Sequence, residues 1–143
     1  MQVRHILREK GREVVTIASD STLSEAARLL ARRRIGALVV ADGQGGIVGI
    51  LSERDIVRAV ADHSVRALGQ DIGRHMTRTV STCSESDSID DLMEIMTHCR
   101  FRHMPVVEND RLCGIVSIGD VVKSRIAETV REATSLREYI AAG

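Results

Sequence analysis

The sequence predicts an α/β (α+β) fold in which two strand–helix–strand–strand–helix repeats pack with pseudo-two-fold symmetry. Two observations carry that prediction. Residues 16–58 can be laid over residues 82–123. Leu23 then falls on Ile89 at an offset of 66 and Asp55 on Asp120 at 65, with the single gap in the Gly43–Gly46 loop, where deletions cost least. Within each copy, apolar residues at helical spacing give way to two short apolar runs around a polar turn. A chain of 143 residues can bury about 70% of its unfolded surface and needs no metal or disulfide staple.

The elements follow in order. Residues 1–10 predict a short amphipathic helix stopped by Gly11, within a lead-in of residues 1–13. The first repeat, 14–61, opens on the apolar run Val14, Val15, Ile17. Thr22-x-x-Glu25 follows as a capping box, in which the hydroxyl accepts from a free helix N–H and the acid accepts from the cap residue's own N–H. Apolar positions 23, 26, 27, 30 and 31 make one buried face, opposite Arg28, Arg32 and Arg33. Arg32-Arg33-Arg34 reads as an exposed helix end, where cations suit the dipole.

Ala37–Ala41 and Ile47–Leu51 then flank Asp42-Gly43-Gln44-Gly45-Gly46 as a β-hairpin, and a helix opens after Ser52. The Gly43–Gly49 stretch has the wrong spacing for a dinucleotide loop and leads into a strand, so a hairpin turn is the better reading. Residues 62–78 connect the halves through a loop bearing Gly69 and Gly73.

The second repeat, 79–124, repeats the grammar: Val80 and Cys83 as a strand, Ser88-x-x-Asp91 as a cap, and a helix with apolar 89, 92, 93 and 96 against polar Asp90, Glu94 and His98. A hairpin around Glu108-Asn109-Asp110-Arg111 and a helix opening after Ser117 complete it, and 125–143 reads as a helical tail. The first crossover of each repeat is expected to be right-handed and to set two strands parallel. One compact module is expected, because a half of about 55 residues alone buries too little surface.

Composition excludes several functions. Lys+Arg and Asp+Glu number 20 each, so no basic excess drives nucleic-acid binding, and Phe101 and Tyr139 are the only aromatic residues available to stack on bases. No apolar stretch reaches the roughly 18 residues of a membrane span, and Met-Gln-Val-Arg-His does not open a signal peptide. Cys83, Cys99 and Cys113 form an odd, irregular set, which points to a reducing cytoplasm and lacks a redox pattern. His98-Cys99 has no second ligand pair for a metal, and Met93, Met96 and Met104 read as core fillers. No nucleophile–base pair, metal set or P-loop supports an enzyme.

The informative motif is Gly–apolar–apolar–Ser–x–x–Asp. It stands as Gly49-Ile50-Leu51-Ser52-Glu53-Arg54-Asp55 and again as Gly114-Ile115-Val116-Ser117-Ile118-Gly119-Asp120. A carboxylate one turn into a helix can accept from two vicinal hydroxyls, the pattern a ribose offers. A serine at the helix start lies beside free backbone N–H groups and the positive dipole end, which suit a phosphate. Gly49 and Gly114 clear space where a ligand or another strand comes close. The plainer reading is that Ser52 and Ser117 are N-caps and Asp55 and Asp120 first-turn acids.

Two such motifs in a matched repeat, with Arg102-His103-Met104-Pro105-Val106 before the second hairpin, resemble the cystathionine β-synthase (CBS) domain, two copies of which form a Bateman module. The resemblance covers about residues 5–125. It implies a non-catalytic regulatory module that binds adenosine ligands (AMP, ADP, ATP, S-adenosylmethionine or NAD(H)) in clefts between the repeats, requires no cofactor, and pairs as a homodimer with an effector protein as partner. Mapped onto this sequence, one set joins Thr16 to Arg102, His103, Ser117 and Asp120; the other joins Thr82 to Gly36, Ala37, Ser52, Arg54 and Asp55. In such modules the Thr lies near base or sugar, the Asp holds ribose and the basic residues face phosphate. Both sets keep Ser and Asp, so both are expected to bind, with unequal affinity. The competing reading is a structural, dimerising module with vestigial clefts that acts by protein–protein interaction.

Overall fold

In the computed structural model, which describes residues 1–142, the elements run α1 (Val3–Lys10), β1 (Thr16–Ile17), α2 (Leu23–Arg33), β2 (Ala37–Ala41), β3 (Ile47–Ser52), α3 (Glu53–His63), two 3₁₀ turns (Ser64–Gly69 and Ile72–Arg74), α4 (Ile89–Cys99), β4 (His103–Glu108), β5 (Arg111–Ser117) and α5 (Ile118–Ala142). Gly143, the last residue of the expected tail, lies outside the described residues. The expected final helix and tail are one continuous helix, α5. The chain forms two compact units, Val14–Ser81 and Met1–Glu13 with Thr82–Gly143. The lead-in at the N-terminus thus belongs with the second repeat.

Local chemistry explains the boundaries. Gly11 stops α1 at φ +97, donating its N–H to the Leu7 carbonyl. Thr22 and Glu25 close the complete capping box. In the second repeat only the Ser88 hydroxyl bond to the Asp91 amide is formed, so the expected box is half made. α2 and α4 both end on an arginine in the left-handed conformation, Arg34 at φ +55 and Arg100 at φ +59. In the first hairpin the Asp42 carboxylate accepts from the amides of Gln44 and Gly46. The second turns on consecutive left-handed residues, Asn109 and Asp110.

The unit of the first repeat holds a three-stranded sheet in the order β1-β2-β3, with β1 parallel and β3 antiparallel to β2. Among the described residues the unit of the second repeat has a two-stranded sheet, the antiparallel pair β4-β5. The strand expected around Val80 and Cys83 is reduced to a single parallel bridge between Cys83 and Val106. Pro105 supplies the reason. In the first repeat the Val39 amide donates to the Val15 carbonyl; Pro105 occupies the matching position and has no N–H to give.

Each unit has its own apolar centre. Leu23, Leu30, Leu38, Val40, Leu51 and Ile72 fill the first, and Val3, Leu7, Ile89, Leu92, Met104 and Val116 the second. Met96 and Met104 are buried and Met93 packs against the second centre, as core fillers do. Ala31, expected on the buried face of α2, is exposed.

The lead-in segments are equivalent. The amide of Leu23 donates to the Gln70 carbonyl and that of Ile89 to the Met1 carbonyl. Ile72 and Val3 likewise donate to Ser21 and Asp87. Each repeat is therefore closed by a short segment that precedes the other repeat in sequence.

Candidate functional site

The same corner is built once in each unit, where the second hairpin strand turns into a helix. At the start of α3 the Glu53 amide donates to the Gly36 carbonyl at 3.0 Å; at the start of α5 the Ile118 amide donates to the Arg102 carbonyl at 2.7 Å. These bonds pin each helix N-terminus to the residue that enters the first hairpin strand. The register then sets Ala37 opposite Ser52 and His103 opposite Ser117. Within one unit, Gly36, Ala37, Ser52, Arg54 and Asp55 stand together, and within the other Arg102, His103, Ser117 and Asp120. Thr16 belongs to the first unit, exposed on β1 opposite Val39; Thr82 belongs to the second, exposed beside Cys83.

Both acids complete a capping box. Asp55 Oδ2 accepts from the Ser52 amide at 2.9 Å while the Asp55 amide donates to Ser52 Oγ at 3.3 Å. Asp120 Oδ2 accepts from the Ser117 amide at 2.9 Å, and its own amide donates to Ser117 Oγ at 3.1 Å. The structural role of Ser52, Ser117, Asp55 and Asp120 is thus real, and all of these hydrogen bonds to carboxylate fall on Oδ2. Oδ1 of each acid is the oxygen the caps do not use. With the first and third amides of each helix engaged, those of Arg54 and Gly119, both on exposed residues, are the donors that the caps leave over.

The electrostatics of the two corners differ. Asp55 is buried to 7% exposure and its Oδ1 lies 3.6 Å from Arg58 Nη1. Asp120 is more open, and Lys10 of α1 reaches it at 2.6 Å on Oδ2. Burial pushes the Asp120 carboxyl up, but the Lys10 ammonium and the Ser117 amide and hydroxyl outweigh it and hold the group below its usual range.

The space cleared at Gly49 and Gly114 is taken by the chain itself and not by a ligand, at Gly49 by the segment bridged to Ile50 and at Gly114 by a side chain of helix α1 where a strand was the other expectation. A Cβ on Gly49 would lie 2.7 Å from Met76 Sδ and 2.9 Å from the Thr77 carbonyl oxygen; one on Gly114 would lie 2.6 Å from Leu7 Cδ2. Sequence reasoning also missed Lys10, which lies 110 residues from its partner and carries no motif.

Other chemistry finds no support among the described residues. No three His, Cys, Asp or Glu side chains are placed to hold a metal ion, and no helix is long and apolar enough to cross a membrane. Burial, aided by Asp87, Cys113 and Glu108, pushes the Cys83 thiol up to about 12; burial and then Glu108 raise Cys113. Such thiols stay protonated near neutrality and make poor nucleophiles.

The CBS domain model matches this chain twice, over residues 3–62 and 69–127. The chain belongs to the CBS domain family. Its architecture is that of a CBS domain pair: the crystal structure of the CBS-domain protein ATU1752 from Agrobacterium tumefaciens shares 50% identity and a TM-score of 0.86, covering 87% of this chain and 99% of that one. An uncharacterized 17.7 kDa protein of Acidianus ambivalens is 35% identical over 113 residues, 78% of this chain and 67% of its own.

Two similar CBS structures have named ligands. The CBS domain pair of protein MJ0100, in complex with 5′-methylthioadenosine and S-adenosyl-L-methionine, is 29% identical with a TM-score of 0.80, covering 90% of this chain and 98% of that one. The protein PAE2072 of Pyrobaculum aerophilum, complexed with AMP, is 29% identical with a TM-score of 0.74, covering 84% and 89%.

Proposed function

We propose that this CBS domain pair is a non-catalytic regulatory module that senses an adenosine-containing ligand, AMP, ADP, ATP or NAD(H). The observation that carries the reading is the corner built twice: a serine-capped helix start with a carboxylate whose Oδ1 is spared by the cap and a second-position amide left over. A vicinal diol fits the first and a phosphate oxygen the second. Relatives in complex with AMP, 5′-methylthioadenosine and S-adenosylmethionine support the ligand class.

On the family resemblance, the proposal assigns Thr16 with Arg102, His103, Ser117 and Asp120 to one ligand, and Thr82 with Gly36, Ala37, Ser52, Arg54 and Asp55 to the other. A homodimer in the cytoplasm and an effector protein that reads the bound state belong to the same proposal. Ligand acts by its differential affinity for two states of the module.

Equilibrium dialysis of the full chain with AMP, ATP and NADH tests the reading. At least one ligand is expected to bind well below the millimolar range, with clear weakening in Asp120→Ala. Binding of none of the three below about 1 mM, a free energy of only about −4 kcal/mol, would overturn it.

A further inference from the structure

α1 and α5 run antiparallel in the unit of the second repeat: the Met1 ammonium lies 3.6 Å from Glu128, while Lys10 meets Asp120 two turns earlier on α5. Between the helices lies a groove of about 340 Å³ with Asp120 in its wall. Arg8, Lys10, Lys123 and Arg131 line it against the acids Glu9 and Asp120, so its charge is net positive. Among these residues the ion pair present is Lys10–Asp120.

Resting on the reading above, we infer that Lys10 is a specificity residue. It makes the Asp120 corner select adenosine ligands with an anionic 5′ substituent, a nucleoside phosphate, over those with a sulfonium or an uncharged thioether there. The geometry gives each group one task. Asp120 uses Oδ2 for the Ser117 amide and for Lys10, which leaves Oδ1 to the ribose hydroxyls. An ammonium has three N–H donors; the Lys10 bond to Asp120 uses one, and two remain for a second anion beside the sugar.

A lone carboxylate would attract a sulfonium. Paired with Lys10 it does not, and the cations beyond it repel one. The corner of the first repeat is built differently: its lead-in is a 3₁₀ turn, Ile72–Arg74, where the second has the helix α1, and the basic contact to Asp55 is the looser one from Arg58 at 3.6 Å.

Calorimetric titration of the full chain in an Asp55→Asn background reads the second corner alone, with AMP, 5′-methylthioadenosine and S-adenosylmethionine as probes. Lys10→Met is expected to weaken AMP about tenfold, the size of one hydrogen bond to a charged group, while 5′-methylthioadenosine changes by less than about twofold. S-adenosylmethionine should tighten, and Lys10→Arg should restore AMP. Equal weakening of AMP and 5′-methylthioadenosine by Lys10→Met, or no change in AMP while Asp120→Ala still removes binding, overturns the inference and leaves the adenosine-sensing reading intact. If the parent chain binds none of the probes the inference falls, and the adenosine-sensing reading falls with it only when ATP and NADH also fail to bind the wild type.

Discussion

The two repeats close the same gap with different parts. Behind Gly49 lie the Met76 side chain and the Thr77 carbonyl, and Thr77 is joined to Ile50 by a reciprocal amide–carbonyl pair at 2.9 and 3.0 Å; behind Gly114 the nearest atoms are the side-chain tip of Leu7, brought from the N-terminus. The first repeat is covered by chain that follows it directly, so its unit is one continuous segment, Val14–Ser81. The second borrows its cover across the whole length of the first. A duplicated sequence therefore gives two corners of equal geometry with unequal supports and charges. Lys10, which comes with the borrowed helix, neutralises Asp120, whereas Asp55 has the looser contact from Arg58 on its own helix.

Removing the borrowed contact should break that contrast with the largest effect. Leu7 is 1% exposed, and Leu7→Ala should cost about 2–5 kcal/mol in urea denaturation of the full chain, as core truncations do. Met76→Ala, at a half-buried position, should cost less. If the order is reversed, the N-terminal helix does not close the second repeat.

Filling the glycines sharpens the comparison. Both alanine substitutions overpack, at about 1–3 kcal/mol, but Gly49→Ala meets a carbonyl oxygen held in a bridge while Gly114→Ala meets a leucine methyl that can rotate. Gly49→Ala should lower the melting temperature more, and an equal or smaller drop would contradict the account of the covers.

The smallest effect concerns pH. The folded protein holds the Asp120 carboxyl below its usual range, so it binds protons less readily than the unfolded chain. Its stabilising contribution is present above the unfolded value and is lost as pH falls through the folded one. Lys10→Met removes much of that depression, and melting temperatures taken from neutral to acidic pH should fall less steeply in the variant. Identical profiles would show that the Lys10–Asp120 pair contributes nothing in solution.

Much of this was legible in the residues. The 65–66 residue offset, the Thr22 and Ser88 caps, the Asp42 and Asn109–Asp110 turns and the helix starts at Ser52 and Ser117 are short-range patterns, and local hydrogen bonds decide them. Pro105 carried a signal that periodicity alone overlooks: with no N–H, it limits the second repeat's opening strand to one bridge. The arginine C-caps were hidden because glycine or asparagine is the usual residue there. The exchange of covers and the Lys10–Asp120 pair join residues about 50 to 110 positions apart through packing, which no local pattern records. Of the candidate site, the sequence shows Ser and Asp as a motif but not which carboxylate oxygen the helix cap consumes.

The most direct test is the number of AMP molecules bound per chain, measured by calorimetric titration on the wild type, on Asp55→Asn and Asp120→Asn, and on the double variant. Two unequal sites in the wild type, one in each single variant and none in the double variant are the expected results. A double variant that binds AMP with wild-type stoichiometry and affinity would show that the twin carboxylates cap helices and do nothing else.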